Sequence, residues 1–157
     1  ADGKNTVYIK NLGHKVHGID ISPTVIDRVS KNVDAEFSVQ DCKQTIFENE
    51  TFDVIVDAGC LHVNETHFHR TILEEYHRIL KPNGHLAIRL FNNNKGNPSQ
   101  PIFSVAGEEL YMPVYGFAKP IVHSLMSGLF KVEDYYFDAW YSATGEGCHN
   151  FIFAKID

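Results

Sequence analysis

The run Lys15-Val-His-Gly-Ile-Asp-Ile-Ser-Pro23 constrains this chain more than any other stretch. Apolar Val16, Ile19 and Ile21 surround a single acid, Asp20, and the run then stops. Hydrophobic residues at these spacings suit a buried strand, and a carboxylate at the C-terminal end of such a strand can reach the two hydroxyls of a ribose. Ser22-Pro23 is a helix-start signal, because a serine oxygen caps the first turn and proline is tolerated at the first helical position. Strand, acid and capped helix form the unit with which an open α/β sheet holds a nucleoside. An ordinary buried strand followed by a capping acid satisfies the same residues.

The pattern recurs along the chain. Val25, Ile26 and Val29 lie on one face and Asp27, Arg28 and Lys31 on the other of an amphipathic helix over 23–32. Residues 35–39 then predict a short strand ending in Gln40-Asp41-Cys42, and residues 52–56 predict the most strongly buried strand, ending in Asp57. Three successive strands therefore end in Asp20, Asp41 and Asp57. In a parallel sheet those ends line one edge, where ligands of open α/β sheets bind.

Further elements follow from periodicity and breakers. The first residues predict a short helix with Val7, Tyr8, Ile9 and Leu12 partly buried, closed by Gly13. Phe68, Ile72, Leu73, Tyr76, Ile79 and Leu80 mark a helix over 65–80, broken by Lys81-Pro-Asn-Gly84. A fourth strand over 84–91 leads into the polar Gly/Pro-rich tract 92–101, which reads as a lid or a disordered segment. Residues 105–114 are ambiguous, 117–129 predict a helix, and 131–141 and 148–155 predict strands joined by a short turn, hence antiparallel.

Composition narrows the function classes. With 157 residues, 43% of them hydrophobic and 22% charged, the chain is expected to form one globular domain over 1–157. A net charge of −6 without clustered Lys and Arg disfavours a nucleic-acid partner. Cys42, Cys60 and Cys148 are odd in number and lack CxxC spacing, which argues for free thiols and against a structural zinc site. No apolar run reaches transmembrane length, so no membrane partner and a cytoplasmic location are expected.

Asp2-Gly3 opening a helix, LGHKVHGIDIS, SVQDC, TFDVIVDAG, YHRILKPNGHLAI and the terminal hairpin together resemble the class I S-adenosylmethionine-dependent methyltransferases. GIDIS at 18–22 and RILKPNG at 78–84 are the most specific parts, and the resemblance runs nearly the whole length of the chain. It implies a Rossmann-like α/β fold with a mostly parallel sheet, helices on both faces and a C-terminal antiparallel hairpin. It also implies that the chain begins inside the first glycine motif, with the first central strand, between those ending at Asp20 and Asp57, missing.

The same resemblance assigns roles. Asp20 takes the ribose hydroxyls of S-adenosyl-L-methionine and Ile21 packs on the adenine face. Asp41 accepts from the adenine amine, the Cys42 N–H serves a ring nitrogen, Asp2 and Gly3 approach the methionine part, and Asp57 lies beside the sulfonium. Carboxylates suit a cofactor carrying positive charge, although a turn-capping role explains Asp41 and Asp57 as well.

Methyl transfer needs positioning and, for a protonated acceptor, a base. His62 is the best placed candidate base, with a packed histidine at a helix entrance as the competing reading. Cys60 reads as a packed thiol, and His67, His69 and His77 as a solvated face whose spacing suits no metal. Tyr111, Met112, Tyr115 and Phe117 are expected to supply aromatic surface for a small-molecule acceptor, Tyr111 and Tyr115 foremost. Asp57-Ala-Gly-Cys60 stands where the family's base-methylating members carry Asn-Pro-Pro-Tyr, which disfavours a nucleic-acid base as acceptor. Two alternatives stay open. One is an inactive methyltransferase-like fragment that acts as a binding module, its exposed strand edges pairing two copies into a homodimer. The other is an NAD-dependent Rossmann enzyme.

Overall fold

The computed structural model describes residues 3–92, 102–105, 108–111, 116–141 and 146–156, which group into two compact units, 1–46 and 47–157. The first contains α1 (Lys4–Asn11), β1 (His17–Asp20), α2 (Pro23–Asn32) and β2 (Glu36–Val39). β1 and β2 pair in parallel, from His17 opposite Glu36 to Asp20 opposite Val39, and α2 supplies the crossover that parallel strands require. Ser22 Oγ accepts from the Val25 N–H at 3.4 Å and Pro23 opens the helix, while Val29 is its buried residue. The close approach of the two strands leaves no room at Gly18, where a Cβ would meet the Phe37 ring at 2.6 Å.

The second unit is built on a four-stranded sheet. β3 (Phe52–Ala58) leads through two short 3₁₀ turns, Leu61–Val63 and Thr66–Phe68, into α3 (His69–Ile79) and β4 (Leu80–Asn92). A separate hairpin of β5 (Ile102–Val105) and β6 (Glu108–Tyr111) precedes α4 (Lys119–Met126), β7 (Phe130–Tyr141) and β8 (Glu146–Lys155). The order is β3-β4-β8-β7, with β4 parallel to β3 and antiparallel to β8. Leu86, Ile88 and Leu90 of β4 and Phe151 and Phe153 of β8 form the core with Ile72, Leu73 and Tyr76 of α3 and Val122 and Met126 of α4. Arg78 anchors the start of β3, donating to the Phe47 carbonyl, to Asn49 Oδ1 and through two nitrogens to the Glu75 carboxylate.

The fold is α/β, with parallel and antiparallel strands together, and the terminal strand is antiparallel as its short connection to β7 predicts. β3 is not the most strongly buried strand, since Val54 and Val56 are exposed and Asp57 is its one buried residue, and Tyr8 and Leu12 of α1 are exposed where partial burial is expected. Three further details differ from expectation. Residues 65–68 form no α-helix, because the 3₁₀ turn at Thr66–Phe68 delays α3 until His69. The breaker Lys81-Pro-Asn-Gly84 ends α3 yet lies within a strand that already begins at Leu80. It is absorbed as an irregularity, with Phe52 opposite Leu80 and Val54 opposite His85, and Asn83 takes a positive φ of 61°. The ambiguous segment 105–114 contributes a strand, β6. No helix among the described residues is long and apolar enough to cross a membrane.

Candidate functional site

In the first unit the strand ends carry the chemistry. Asp20 closes β1, and its Oδ1 accepts the Ser22 N–H at 2.9 Å in a tight turn that leads into α2. Ile21, between them, is 65% exposed, a large apolar side chain held in solvent beside a carboxylate. The Asp20 carbonyl accepts the Gln40 N–H at 3.0 Å, which fixes the ends of β1 and β2 to each other.

Asp41 Oδ1 accepts the Lys43 N–H at 2.9 Å, and Oδ2 lies 3.0 Å from the Lys43 ammonium. Burial raises the Asp41 carboxyl, but the Lys43 backbone and side chain prevail and hold it below its ordinary range. Cys42 is half-buried and not in a disulfide. Gly3 starts α1 at a φ of 76°, a left-handed conformation that a side chain would strain. Gly3, Gly18, Asp20, Ile26 and Phe37 share a small cleft in this unit. Asp2 lies outside the described residues.

In the second unit Asp57 is 3% exposed near the end of β3. Its Oδ1 accepts the Gly59 and Cys60 N–H groups at 3.2 and 2.7 Å, and its Oδ2 accepts the Leu61 N–H at 3.0 Å and the Tyr76 hydroxyl at 3.1 Å. Burial pushes its carboxyl above the ordinary range, against these donors and the His62 imidazole. The turn it holds contains Gly59 at a φ of 118°.

His62 is pinned to β4, its Nδ1 accepting the Phe91 N–H at 3.3 Å. Burial lowers its pKa, opposed chiefly by the Asp57 carboxylate and the Arg89 backbone. The other ring nitrogen, Nε2, is the side-chain atom nearest to where a Cβ at Gly59 would sit, 3.8 Å away. Cys60 is half-buried, with Asn64 Nδ2 3.8 Å from its sulfur.

Other expected residues fall elsewhere. His69 is no part of a solvated face: it is buried, its Nε2 meets the Asn64 carbonyl at 2.8 Å and its ring packs on Phe117. Phe117 is likewise buried, with its N–H donating to Phe91, so it supplies core and no acceptor surface. His77 meets the Ile156 carbonyl at 2.7 Å. Tyr111 ends β6 opposite Ile102, but its side chain, like Tyr115, Met112 and the tract 93–101, lies outside the described residues.

Two features escape the sequence. Tyr76 reads as one member of an apolar stripe, yet its hydroxyl reaches Asp57, nineteen positions away. His149, read as a strand residue, is buried with Nδ1 3.0 Å from the Tyr135 hydroxyl and Nε2 3.1 Å from Asn92 Oδ1. A polar side chain inside an alternating strand is the one signal from which such a network could have been read.

Similarity to known proteins agrees with this architecture. An uncharacterized methyltransferase of Synechocystis is 32% identical over 87 residues, 55% of this chain and 41% of that protein. The 2-methyl-6-phytyl-1,4-hydroquinone methyltransferase of Synechocystis is 26% identical over 130 residues, 79% of this chain and 36% of that protein. The chain thus spans about two fifths of the length of these curated relatives. The crystal structure of Burkholderia thailandensis 1,6-didemethyltoxoflavin-N1-methyltransferase, with 1,6-didemethyltoxoflavin and S-adenosylhomocysteine bound, superposes with a TM-score of 0.76 at 21% identity. It covers all of this chain, which corresponds to 68% of that one, and the likeness is one of fold. A family model described as a methyltransferase domain matches residues 1–84, more than half of the sequence, and the chain belongs to that family.

Proposed function

We propose that this chain binds S-adenosylmethionine and takes part in transferring its methyl group to a small-molecule acceptor. The observation that carries the reading is the end of β1, where the Asp20 carboxylate is presented beside an exposed Ile21. A ribose would use the carboxylate, and an adenine ring would cover the apolar side chain that water now surrounds. Asp41 and the Cys42 N–H are proposed to meet the adenine edge, and Asp2 and Gly3 the methionine part.

The cofactor, when bound, supplies a methyl group already activated on a sulfonium. What the protein adds is position. Asp57 is proposed to act by shaping the Gly59–Leu61 turn, since donors already surround both of its oxygens. His62, neutral at neutral pH because burial lowers its pKa, is proposed to meet the acceptor through Nε2, as Nδ1 is held by Phe91. Two observations support a small acceptor: a net charge of −6, unsuited to a polyanion, and the aromatic compounds named for the hydroquinone methyltransferase and the toxoflavin-bound structure.

Isothermal titration of the chain with S-adenosylmethionine and S-adenosylhomocysteine tests this. Saturable binding is expected, weakened at least about tenfold by Asp20→Asn, since a hydrogen bond to a charged group contributes about 1.5–3 kcal/mol. No heat from the folded chain, or an affinity indifferent to Asp20→Asn and Asp41→Asn, would overturn it.

A further inference from the structure

The two strands of the first unit carry a set of side chains that nucleoside binding does not use. His17 opens β1, Glu36 opens β2, and Ser38 lies two residues further on. The parallel register sets His17 opposite Glu36 and Ile19 opposite Ser38, so all three polar residues share one face of the pair. His17 Nε2 lies 2.7 Å from Ser38 Oγ, and His17 Nδ1 lies 3.3 Å from Glu36 Oε2. Gln40 Nε2 donates to the same serine oxygen at 2.7 Å, and its own Oε1 is fixed by the Ile46 N–H at 2.9 Å.

Gln40 fills one of the two acceptor positions on Ser38 Oγ, and in the tautomer that carries its proton on Nδ1, facing Glu36, the His17 Nε2 accepts the serine hydroxyl. A hydroxyl on an imidazole that a carboxylate orients is the arrangement that activates serine for attack. The Glu36 side chain is 83% exposed, so solvent screens its share, and most of the activation rests on His17.

We propose that Ser38 is a nucleophile that accepts an acyl or phosphonyl group from an electrophilic donor, with His17 as its general base and Glu36 as the positioning residue. The Ser38 Oγ–C or Oγ–P bond forms as the bond to the leaving group breaks and its electron pair departs with that group. The hydroxyl proton passes to His17 Nε2 and from there to the leaving group or solvent. Water then cleaves an acyl-serine by the reverse route, losing its proton to His17 and restoring the hydroxyl. Ser38 lies inside a strand, not at a turn or helix start where successive N–H groups converge on an oxyanion. Loss of one oxyanion donor slows such chemistry about 10²–10³-fold, so a stoichiometric acyl-serine with slow release is the expected behaviour.

The full chain is incubated with a fluorophosphonate and, separately, with p-nitrophenyl acetate, then read by intact mass and peptide mapping. One adduct per chain at Ser38 is expected, abolished by Ser38→Ala. His17→Gln is expected to slow it about 100-fold or more, and Glu36→Gln only a few-fold. Circular dichroism establishes that each variant folds. Should Ser38→Ala fail to fold, Ser38→Cys replaces it, with alkylation at 38 by iodoacetamide expected to fall when His17→Gln is added. A folded chain that gives no adduct at Ser38, or an adduct rate or Ser38→Cys alkylation rate indifferent to His17→Gln, overturns the proposal.

Discussion

The Tyr76 hydroxyl donates to Asp57 Oδ2 across 3.1 Å, linking α3 to the end of β3 through a carboxylate that also receives three backbone N–H groups. Burial holds Asp57 above its ordinary pKa, so the folded state keeps this proton at pH values where the unfolded chain, near 3.9, has released it. Stability therefore falls as pH climbs from about 4 through the raised folded pKa, and levels off above it. Tyr76→Phe removes a donor that favours the ionised form. It is expected to cost about 1–3 kcal/mol at pH 7.5 and less at pH 4.5 by denaturant titration. Equal losses at both pH values would show that the hydroxyl does not act on the carboxylate.

Burial lowers the pKa of His62, of His69 and of His149. The unfolded chain then binds more protons than the folded one between the depressed values and about 6.5, so this part of the stability is complete above that range and is lost as pH falls through it. A lower melting temperature at pH 5 than at pH 7.5 is expected. His69→Gln should reduce that difference, and Asp57, which acts in the opposite sense, is common to both proteins. A difference unchanged in the variant would remove His69 from the account.

Phe151 is 1% exposed, with ring centroids of Phe153 and Tyr135 at 5.1 and 4.7 Å. Phe151→Ala is expected to destabilise the protein by about 3–5 kcal/mol, whereas Phe137→Ala, at a far more exposed ring on β7, should cost about 1 kcal/mol or less. Comparable unfolding midpoints for the two variants would contradict the placement of the core.

Gly59 holds a φ of 118°, where a side chain is strained whatever space surrounds it. Gly59→Ala is expected to cost about 1–3 kcal/mol and to loosen the turn whose N–H groups reach Asp57. Hydrogen exchange at Cys60 and Leu61 reports on that turn directly, and unchanged protection would rule the effect out.

Much of this was legible in residue order because local rules and tertiary packing agree. Ser22-Pro23 marks the start of α2 to the residue, and the alternation after residue 130 marks the paired strands β7 and β8. The stripe from Ile72 to Ile79 marks the buried face of α3. Lys81-Pro-Asn-Gly84 misled because breakers end a helix without saying whether a strand begins before or after them, and here the pairing of Leu80 with Phe52 decided it. His69 misled for a related reason: polarity predicts exposure, but the Asn64 carbonyl and the Phe117 ring compensate its burial. Asp57 was found as a strand-terminal acid, while its partner Tyr76 was not, because the contact joins two elements whose docking periodicity does not specify.

β4 is flanked by a parallel neighbour that precedes it in the chain and an antiparallel one that follows. During synthesis its first edge can pair at once with β3, but the second must wait from Asn92 until Glu146 and the residues after it have left the ribosome. For that interval a strand that carries the buried Leu86, Ile88 and Leu90 has one side unsatisfied, and nascent chains in this state are targets for chaperones and for mispairing. Expression yield should therefore depend more on how fast the segment from β4 to β8 is translated than on substitutions within it.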